Sequence, residues 1–111
     1  MFKSDCGKLM VYTSAEAVHG KRLRSVSAAT EETARLLNLG FEVVRFRKSF
    51  SQIYVYYENG GDEPIPIYCD EGKTNNLQEI CAALKGMIFV LSFHPRHSAL
   101  RPLRNGIMRL S

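Results

Sequence analysis

The residues best suited to chemistry are basic and aromatic side chains near the middle of the chain. Arg45, Arg47 and Lys48 lie on or just after one predicted strand, and Tyr54 and Tyr56 lie on the next. Basic side chains between aromatic rings on a sheet can hold phosphates and stack bases. Further binding cations are expected near the C-terminus at Arg96, Arg101 and Arg104. Because Tyr and Arg are also typical anchors of protein interfaces, the set predicts a binding surface for either class of partner.

The spacing of the candidate metal ligands and nucleophiles matches no known site. His94 and His97 are three residues apart, but Pro95 lies between them and no cysteine or carboxylate is close in sequence. Zinc sites require three or four protein ligands. The motifs GxSxG, HExxH, GxGxxG and the P-loop are all absent from the chain. We therefore expect no metal, no cofactor and no catalytic residues, which favours a non-enzymatic protein.

Charge is strongly segregated along the sequence, although the net charge is only +4. Residues 1–57 contain nine Lys/Arg and five Asp/Glu. Residues 58–84 contain six Asp/Glu and one Lys, whereas residues 85–111 contain five Lys/Arg and no acid. The net charges of the last two blocks are therefore −5 and +5. Opposite blocks on one small domain can pair between copies or with a partner of complementary potential.

The length and composition indicate one soluble domain. The chain has 111 residues, of which 45% are apolar and 23% are charged, as in ordinary globular domains. No apolar run approaches the roughly 20 residues of a membrane helix, and Asp5 and Lys8 stand where a signal peptide would be apolar. The three cysteines lack CxxC spacing and predict reduced thiols, two of them in the core, in a cytoplasmic protein. They are Cys6, Cys69 and Cys81.

Four segments have the composition of β-strands. They are residues 9–13, 41–48, 52–58 and 65–70. The last two alternate between apolar and other side chains, and Asn59-Gly60-Gly61 between them predicts a hairpin. The apolar side of the last strand would carry Ile65, Ile67 and Cys69. Because Pro64 and Pro66 cannot donate hydrogen bonds to a neighbouring strand, we expect this strand at a sheet edge.

The first predicted helix spans residues 28–39. Either Ser27 or Thr30 can cap its N-terminal end, and Gly40 follows as a stop signal. The preceding segment leaves two alternatives open. A helix can begin at Ser14, but the basic cluster at residues 21–24 is more typical of a connection.

The second predicted helix has a clear start and an ambiguous end. Asn76 and Glu79 have the spacing of a capping box. The helix either stops at Gly86, leaving residues 87–93 as a buried strand, or continues to Phe93 and ends ahead of Pro95. Because the apolar stripe keeps its helical phase beyond Gly86, one long helix is favoured.

Together these elements predict an α+β fold formed by a single domain, residues 1–111. It would contain a mainly antiparallel sheet of three to four strands with two helices packed on one face. Residues 95–111 are expected to form a largely irregular basic tail. The core is predicted from the apolar side chains that recur along strands and helices. These are Leu37, Val43, Ile53, Val55, Ile65, Ile67, Ile80, Leu84 and Ile88.

The order helix–strand–strand–strand–helix over residues 28–85, with LGFEVVRFRKSFSQIYVYY and PIPIYCD, resembles the double-stranded-RNA-binding-type fold of HicA-like toxins. The RNase activity of that family relies on a histidine on the strand that corresponds to residues 51–54. This chain has no histidine between His19 and His94. The resemblance therefore implies the fold without the activity.

The sequence favours a small binding or assembly protein that associates with itself, for example as a dimer, or with a protein partner. An RNA- or DNA-binding module that uses the basic and aromatic sheet residues is the alternative. A small-molecule-binding protein, or a HicA-like fold without the catalytic histidine, is the third reading. No association with a membrane is expected.

Overall fold

The structure is a computed structural model that describes residues 7–14, 20–47, 52–60, 63–70 and 76–110. The strands in these ranges are β1 (Lys8–Ser14), β2 (Gly40–Phe46), β3 (Ile53–Glu58) and β4 (Ile65–Asp70). The α-helices are α1 (Gly20–Leu36), α2 (Leu77–Leu91) and α3 (Arg101–Leu110), and a 3-10 helix (Pro95–Leu100) precedes α3. The chain order is β1–α1–β2–β3–β4–α2–α3.

The four strands form one mixed sheet in the order β2-β1-β3-β4. β1 and β2 are parallel, whereas the β1–β3 and β3–β4 pairs are antiparallel. The parallel pair follows from its connection, because a chain that returns through a helix brings the next strand back in the same direction. The predicted α+β fold with a mainly antiparallel sheet is confirmed, and α3 adds a third helix to the two expected.

The strand neighbours differ from those of a simple meander. β1 lies between β2 and β3, so these two strands follow each other in sequence but do not pair. Helix, three strands and helix do follow one another over residues 28–85, as the resemblance to HicA-like toxins implies. However, β1, which precedes this region in the sequence, lies inside the sheet between β2 and β3. Leu9 and Val11 of β1 are fully buried.

α1 begins at Gly20, earlier than the sequence predicts. Leu23 and Val26 are buried at helical spacing and place this early part of the helix against the core. Ser27 and Thr30, the predicted caps, lie inside the helix, where the Thr30 hydroxyl donates to the Val26 carbonyl at 2.7 Å. The expected cap is therefore wrong, because the apolar stripe extends a further two turns towards the N-terminus.

The basic cluster at residues 21–24 lies in the first turns of α1 and is not a connection. Arg22 Nε donates to Asp70 Oδ2 at 3.3 Å, which ties the helix to the end of β4. At the other end, Asn38 adopts a φ of 60° and terminates the helical path. Gly40 is therefore the first residue of β2 and not the helix stop.

β3 and β4 form the predicted hairpin, in which Gly60 adopts a φ of 84°. β4 lies at a sheet edge, as Pro64 and Pro66 predict. A bulge shifts the register of the pair, so the alternation reverses near the end of β4. Cys69 is consequently exposed and Asp70 is buried.

The thiols are less buried than predicted. The expectation that Cys69 lies on the apolar side of β4 is wrong, because the bulge turns this position outwards. Cys81 is half-buried and its Sγ donates to the Ala29 carbonyl at 3.8 Å. Cys6 lies outside the described residues.

α2 is one long helix, as the phase of its apolar stripe predicts, and the alternative strand is wrong. The capping box is formed: the Glu79 N–H donates to Asn76 Oδ1 at 2.8 Å, and the Asn76 N–H donates to Glu79 Oε1 at 3.1 Å. The helix passes through Gly86 and ends at Ser92, whose N–H donates to the Ile88 carbonyl at 2.9 Å.

The predicted irregular tail is instead helical, in the 3-10 helix and α3. Leu100 is fully buried and Ile107 is 9% exposed, with the partly buried Leu103 between them. These three positions form an apolar stripe at helical spacing, which lets the segment pack on the rest of the domain. A Cβ at Gly106 would lie 3.1 Å from Leu37 Cδ2, so α3 closely approaches the turn after α1.

α1 and α2 pack against each other and against the sheet, so they share one face of it. The core lies in this layer. The predicted core residues are buried except Val43, which is only partly buried on the edge strand β2. Within the described ranges, no helix combines the length and the hydrophobicity that a membrane span requires.

Candidate functional site

The face of the sheet that points away from α1 and α2 carries a cluster of aromatic rings. Leu9, Val11 and Val55 belong to the core on the helix-covered side. Residues that alternate with them along the strands therefore lie on the opposite side. Four of these are aromatic and form what we call the aromatic face: Tyr12, Phe46, Tyr54 and Tyr56.

Tyr12 is the centre of the aromatic face. Its ring stacks on Phe46 with centroids 5.6 Å apart and meets the edge of Tyr56 at 5.5 Å. Tyr54 is directly opposite Tyr12 on β3. These contacts have the favoured geometries of aromatic pairs, so the rings hold one another in place. Phe46 is nevertheless 45% exposed, which leaves apolar surface available for contact.

The Tyr12 hydroxyl donates a hydrogen bond to Glu58 Oε2. Burial, this hydrogen bond and the negative charge of Glu58 raise the pKa of Tyr12 to about 12. The phenol is therefore a hydrogen-bond donor at neutral pH, and it holds the carboxylate beside the rings. A proton donor with this pKa is poorly matched to acid–base catalysis near pH 7.

On the aromatic side of the described strands, the charged groups are predominantly acidic. Lys8 Nζ lies 3.1 Å from Glu42 Oε1, and about half of each side chain is exposed. Glu58 adds a second carboxylate. Two carboxylates and one ammonium group thus lie on the aromatic side of the described strands. This balance suits a positively charged ligand better than a phosphate.

A shallow groove extends the aromatic face towards β4. Its volume is about 300 Å³. The groove runs along the β3–β4 hairpin, so a ligand on the aromatic rings can continue onto the edge of the sheet. Its lining residues are Tyr54, Tyr56, Pro66, Ile67, Tyr68 and Cys69.

Arg45, the predicted basic residue that lies within β2, is separated from the tyrosines. Arg45 is in register with Thr13, which is fully buried on the side of the helices. Arg45 therefore lies on the face opposite Tyr54 and Tyr56. Arg47 follows β2 in a bend, and Lys48 lies outside the described residues. Of the predicted basic sheet residues, Arg45 therefore does not share a surface with Tyr54 and Tyr56.

The predicted C-terminal cations lie near the end of α2, and one of them is held within the fold. Arg104 Nη2 donates to the Ser92 carbonyl at 2.7 Å, and its guanidinium lies 3.8 Å from the centroid of the Phe93 ring. Arg96 and Arg101 are exposed on the 3-10 helix and at the start of α3. These cations therefore belong to a different part of the molecule from the aromatic face.

The two histidines near the C-terminus form a local pair. The ring centroids of His94 and His97 are 5.0 Å apart, and His94 Nδ1 accepts a hydrogen bond from the Arg96 N–H at 3.1 Å. Across the described part of the chain, no three His, Cys, Asp or Glu side chains are grouped closely enough to hold a metal ion.

Sequence reasoning missed two members of the aromatic face, Tyr12 and Phe46. Alternation along each strand places a residue on one of two sides, but it does not relate the sides of different strands. Only the position of β1 between β2 and β3 brings Tyr12 beside both Phe46 and Tyr56. The strong β-propensity of both segments was the only available signal.

Comparisons with known proteins assign no function: no protein-family model, no curated protein and no solved structure matches the chain.

Proposed function

We propose that the chain is a non-enzymatic binding protein that holds a basic, partly apolar segment of a partner protein on its aromatic face. The observation that supports this proposal best is the contact of Tyr12 with Phe46 and Tyr56 beside the carboxylates of Glu42 and Glu58. Aromatic rings attract Lys and Arg side chains through cation–π contacts. The carboxylates add electrostatic complementarity to such a segment.

The edge strand β2 offers a backbone contact for the same segment. β2 pairs with β1 on one side, and no other described strand pairs with its outer edge. Unlike β4, β2 contains no proline. An extended segment can add to such an edge as a further strand. Its alternate side chains would then reach Val44 and Phe46 on the aromatic face.

Nucleic-acid binding is the competing function, and the distribution of charge speaks against it. A phosphate backbone needs several cations close to the stacking rings. Arg45 lies on the other face of the sheet, and Glu42 and Glu58 lie beside the rings. Arg96 and Arg101 would have to act without the aromatic face. A protein partner therefore fits the described surface better.

A cytoplasmic location fits the proposed function. Cys69 is exposed on the rim of the groove. An exposed thiol persists most readily where glutathione and thioredoxin keep cysteines reduced.

The proposal is tested by an NMR titration of the full chain with two defined peptides. The first alternates Arg and Leu over seven residues, and the second replaces each Arg with Glu. We expect the basic peptide to shift the amide signals of β1, β2 and β3, and the acidic peptide to leave them unchanged. Binding of neither peptide, or equal binding of both, would contradict the proposed function.

Matched variants then locate the binding site. Phe46→Ser should weaken binding of the basic peptide at least tenfold. Met108→Ser removes a similarly exposed apolar side chain from α3 and should leave the affinity unchanged. A twelve-residue thymidine oligonucleotide, titrated at about 50 and 200 mM salt, tests the competing function. If the oligonucleotide binds tightly, with a steep salt dependence, and Phe46→Ser abolishes this binding, the ligand of the aromatic face is a nucleic acid and not a protein segment.

A further inference from the structure

Beyond its first turn, the outer face of α2 is apolar although it points to solvent. Ile80, Leu84 and Ile88 form the buried side of the helix. Helices that are apolar all round are normally buried on all sides. The exposed positions on the opposite side are also apolar or small, and include Ala82, Ala83, Gly86, Met87 and Val90.

The side chains of this outer face are small at its centre, around Gly86, and larger towards the C-terminal end of the helix. A Cβ at Gly86 would meet no heavy atom within 4 Å, so the surface above it is open. Met87 is 43% exposed and Val90 is 64% exposed. Phe93, just beyond the helix, is 57% exposed even though Arg104 stacks on it. A concentration of exposed large apolar side chains on one surface is typical of an interface.

The two ends of this outer face carry opposite charges. Glu79 is exposed in the first turn of α2. Beyond the last turn, the Arg104 guanidinium lies 3.8 Å from the centroid of the Phe93 ring, and Arg96 is exposed on the 3-10 helix. A copy of the chain that runs antiparallel along this helix would therefore place its basic end against Glu79 of the first copy.

We propose that the outer face of α2 is the interface of a symmetric dimer, in which α2 of a second copy packs antiparallel across a twofold axis at Gly86. This arrangement places Ala82 opposite the partner's Val90, so a small side chain faces a larger one. Glu79 lies opposite the partner's Phe93, where the cationic C-terminal segment begins. Helices in this orientation also align their dipoles favourably.

The dimer is independent of the proposed binding function, because the two surfaces lie on opposite sides of the molecule. α2 belongs to the helical layer, whereas the aromatic face is on the other side of the sheet. Self-association through α2 would present two aromatic faces on one assembly. Two linked sites raise the effective affinity for a partner that has two basic segments.

Cysteine cross-linking gives the sharpest test, because a residue on a twofold axis lies close to its own copy. In a Cys6→Ser, Cys69→Ser, Cys81→Ala background, Gly86→Cys should form a disulfide-linked dimer under mild oxidation. Met108→Cys, exposed on α3, is the matched control and should cross-link at least tenfold more slowly. Equal rates for the two variants would overturn the proposal.

Light scattering and sedimentation of the native chain provide a second readout. We expect twice the chain mass, with a dissociation constant that rises several-fold between about 50 and 500 mM salt because the opposing charges at the two ends of the interface are screened. Val90→Glu should raise the dissociation constant at least tenfold. Ala83→Arg should do the same, which covers the case that one variant folds poorly. Both positions are exposed in the monomer, so the thermal midpoint of the dilute protein should stay close to that of the native chain.

Other outcomes decide against this interface. A monomer at millimolar concentration would overturn the dimer. A dimer that survives both substitutions would show that a different surface, such as the β2 edge, mediates association. If the chain stays monomeric and binds vesicles of anionic lipid through α2, the outer face of α2 contacts a membrane surface and not a second copy. The basic-peptide titration tests the aromatic face separately from the dimer, because Val90→Glu and Ala83→Arg lie on α2 and leave the sheet unchanged.

Discussion

Arg104 closes the C-terminal end of α2 by donating to both the carbonyl and the hydroxyl of Ser92. The Nη2–O distance is 2.7 Å and the Nε–Oγ distance is 3.1 Å. Ser92 is only 1% exposed, so its carbonyl depends on a protein partner to replace water. A basic residue that the sequence suggests for ligand binding thus connects α3 to α2.

Replacing Arg104 by Met should therefore destabilise the fold by about 1–3 kcal/mol, because the buried carbonyl loses its donor. Chemical denaturation measures this change. Arg101→Met on the same helix is the control, and we expect it to fall within about 0.5 kcal/mol of the native chain because Arg101 is exposed. Equal stability of the two variants would mean that the Arg104–Ser92 contact contributes nothing.

The first turns of α2 offer a matched pair of core and surface substitutions. Ile80 is 2% exposed and Leu77, three residues earlier, is 45% exposed. Ile80→Ala should lower the free energy of unfolding by about 2–5 kcal/mol through lost burial and a cavity. Leu77→Ala should cost much less. If Ile80→Ala has only a small effect on the free energy of unfolding, Ile80 is not part of the core.

The ion pair between Arg22 and Asp70 should contribute much more to stability than the surface pair between Arg35 and Glu32. Asp70 is 5% exposed, whereas both members of the surface pair are at least 46% exposed. Asp70→Asn should cost about 3 kcal/mol, because Arg22 would keep a charge without its carboxylate. Glu32→Gln should cost less than about 1 kcal/mol. Thermal or urea unfolding of both variants decides the comparison.

Tyr12 should make the fold less stable at high pH. Its pKa is about 12 in the folded chain and near 10.0 in the unfolded chain, so only the unfolded chain loses this proton between these values. The stabilisation is complete below pH 10 and is lost as the pH rises towards 12. Tyr12→Phe should show a shallower loss of stability over this range than the native chain.

Absorbance at 295 nm, which follows phenolate formation, provides the direct measurement. Tyr12 should ionise near pH 12 in the folded chain, and Tyr12→Phe should remove this step from the titration. An unchanged titration curve apart from amplitude would contradict the hydrogen bond to Glu58.

Local signals predicted most elements because they depend on residues close in sequence. The spacing of Asn76 and Glu79 predicted the capping box, and Pro64 and Pro66 predicted the edge position of β4. The C-terminal segment was predicted incorrectly for the same local reason. Pro102 and Gly106 interrupt a helical pattern, and only packing of Leu100 and Ile107 against the domain outweighs them.

By itself, the sequence determined the types of most strands and helices, the edge position of β4 and the separation of charge into blocks. These properties follow from residue types and short spacings. The tertiary structure alone decided that Arg45 and Tyr54 lie on opposite faces of the sheet and that Tyr12 joins Phe46 to Tyr56. The physical reason is that side-chain alternation sets only relative sides within one strand, whereas the order and register of the strands determine which sides combine into a surface.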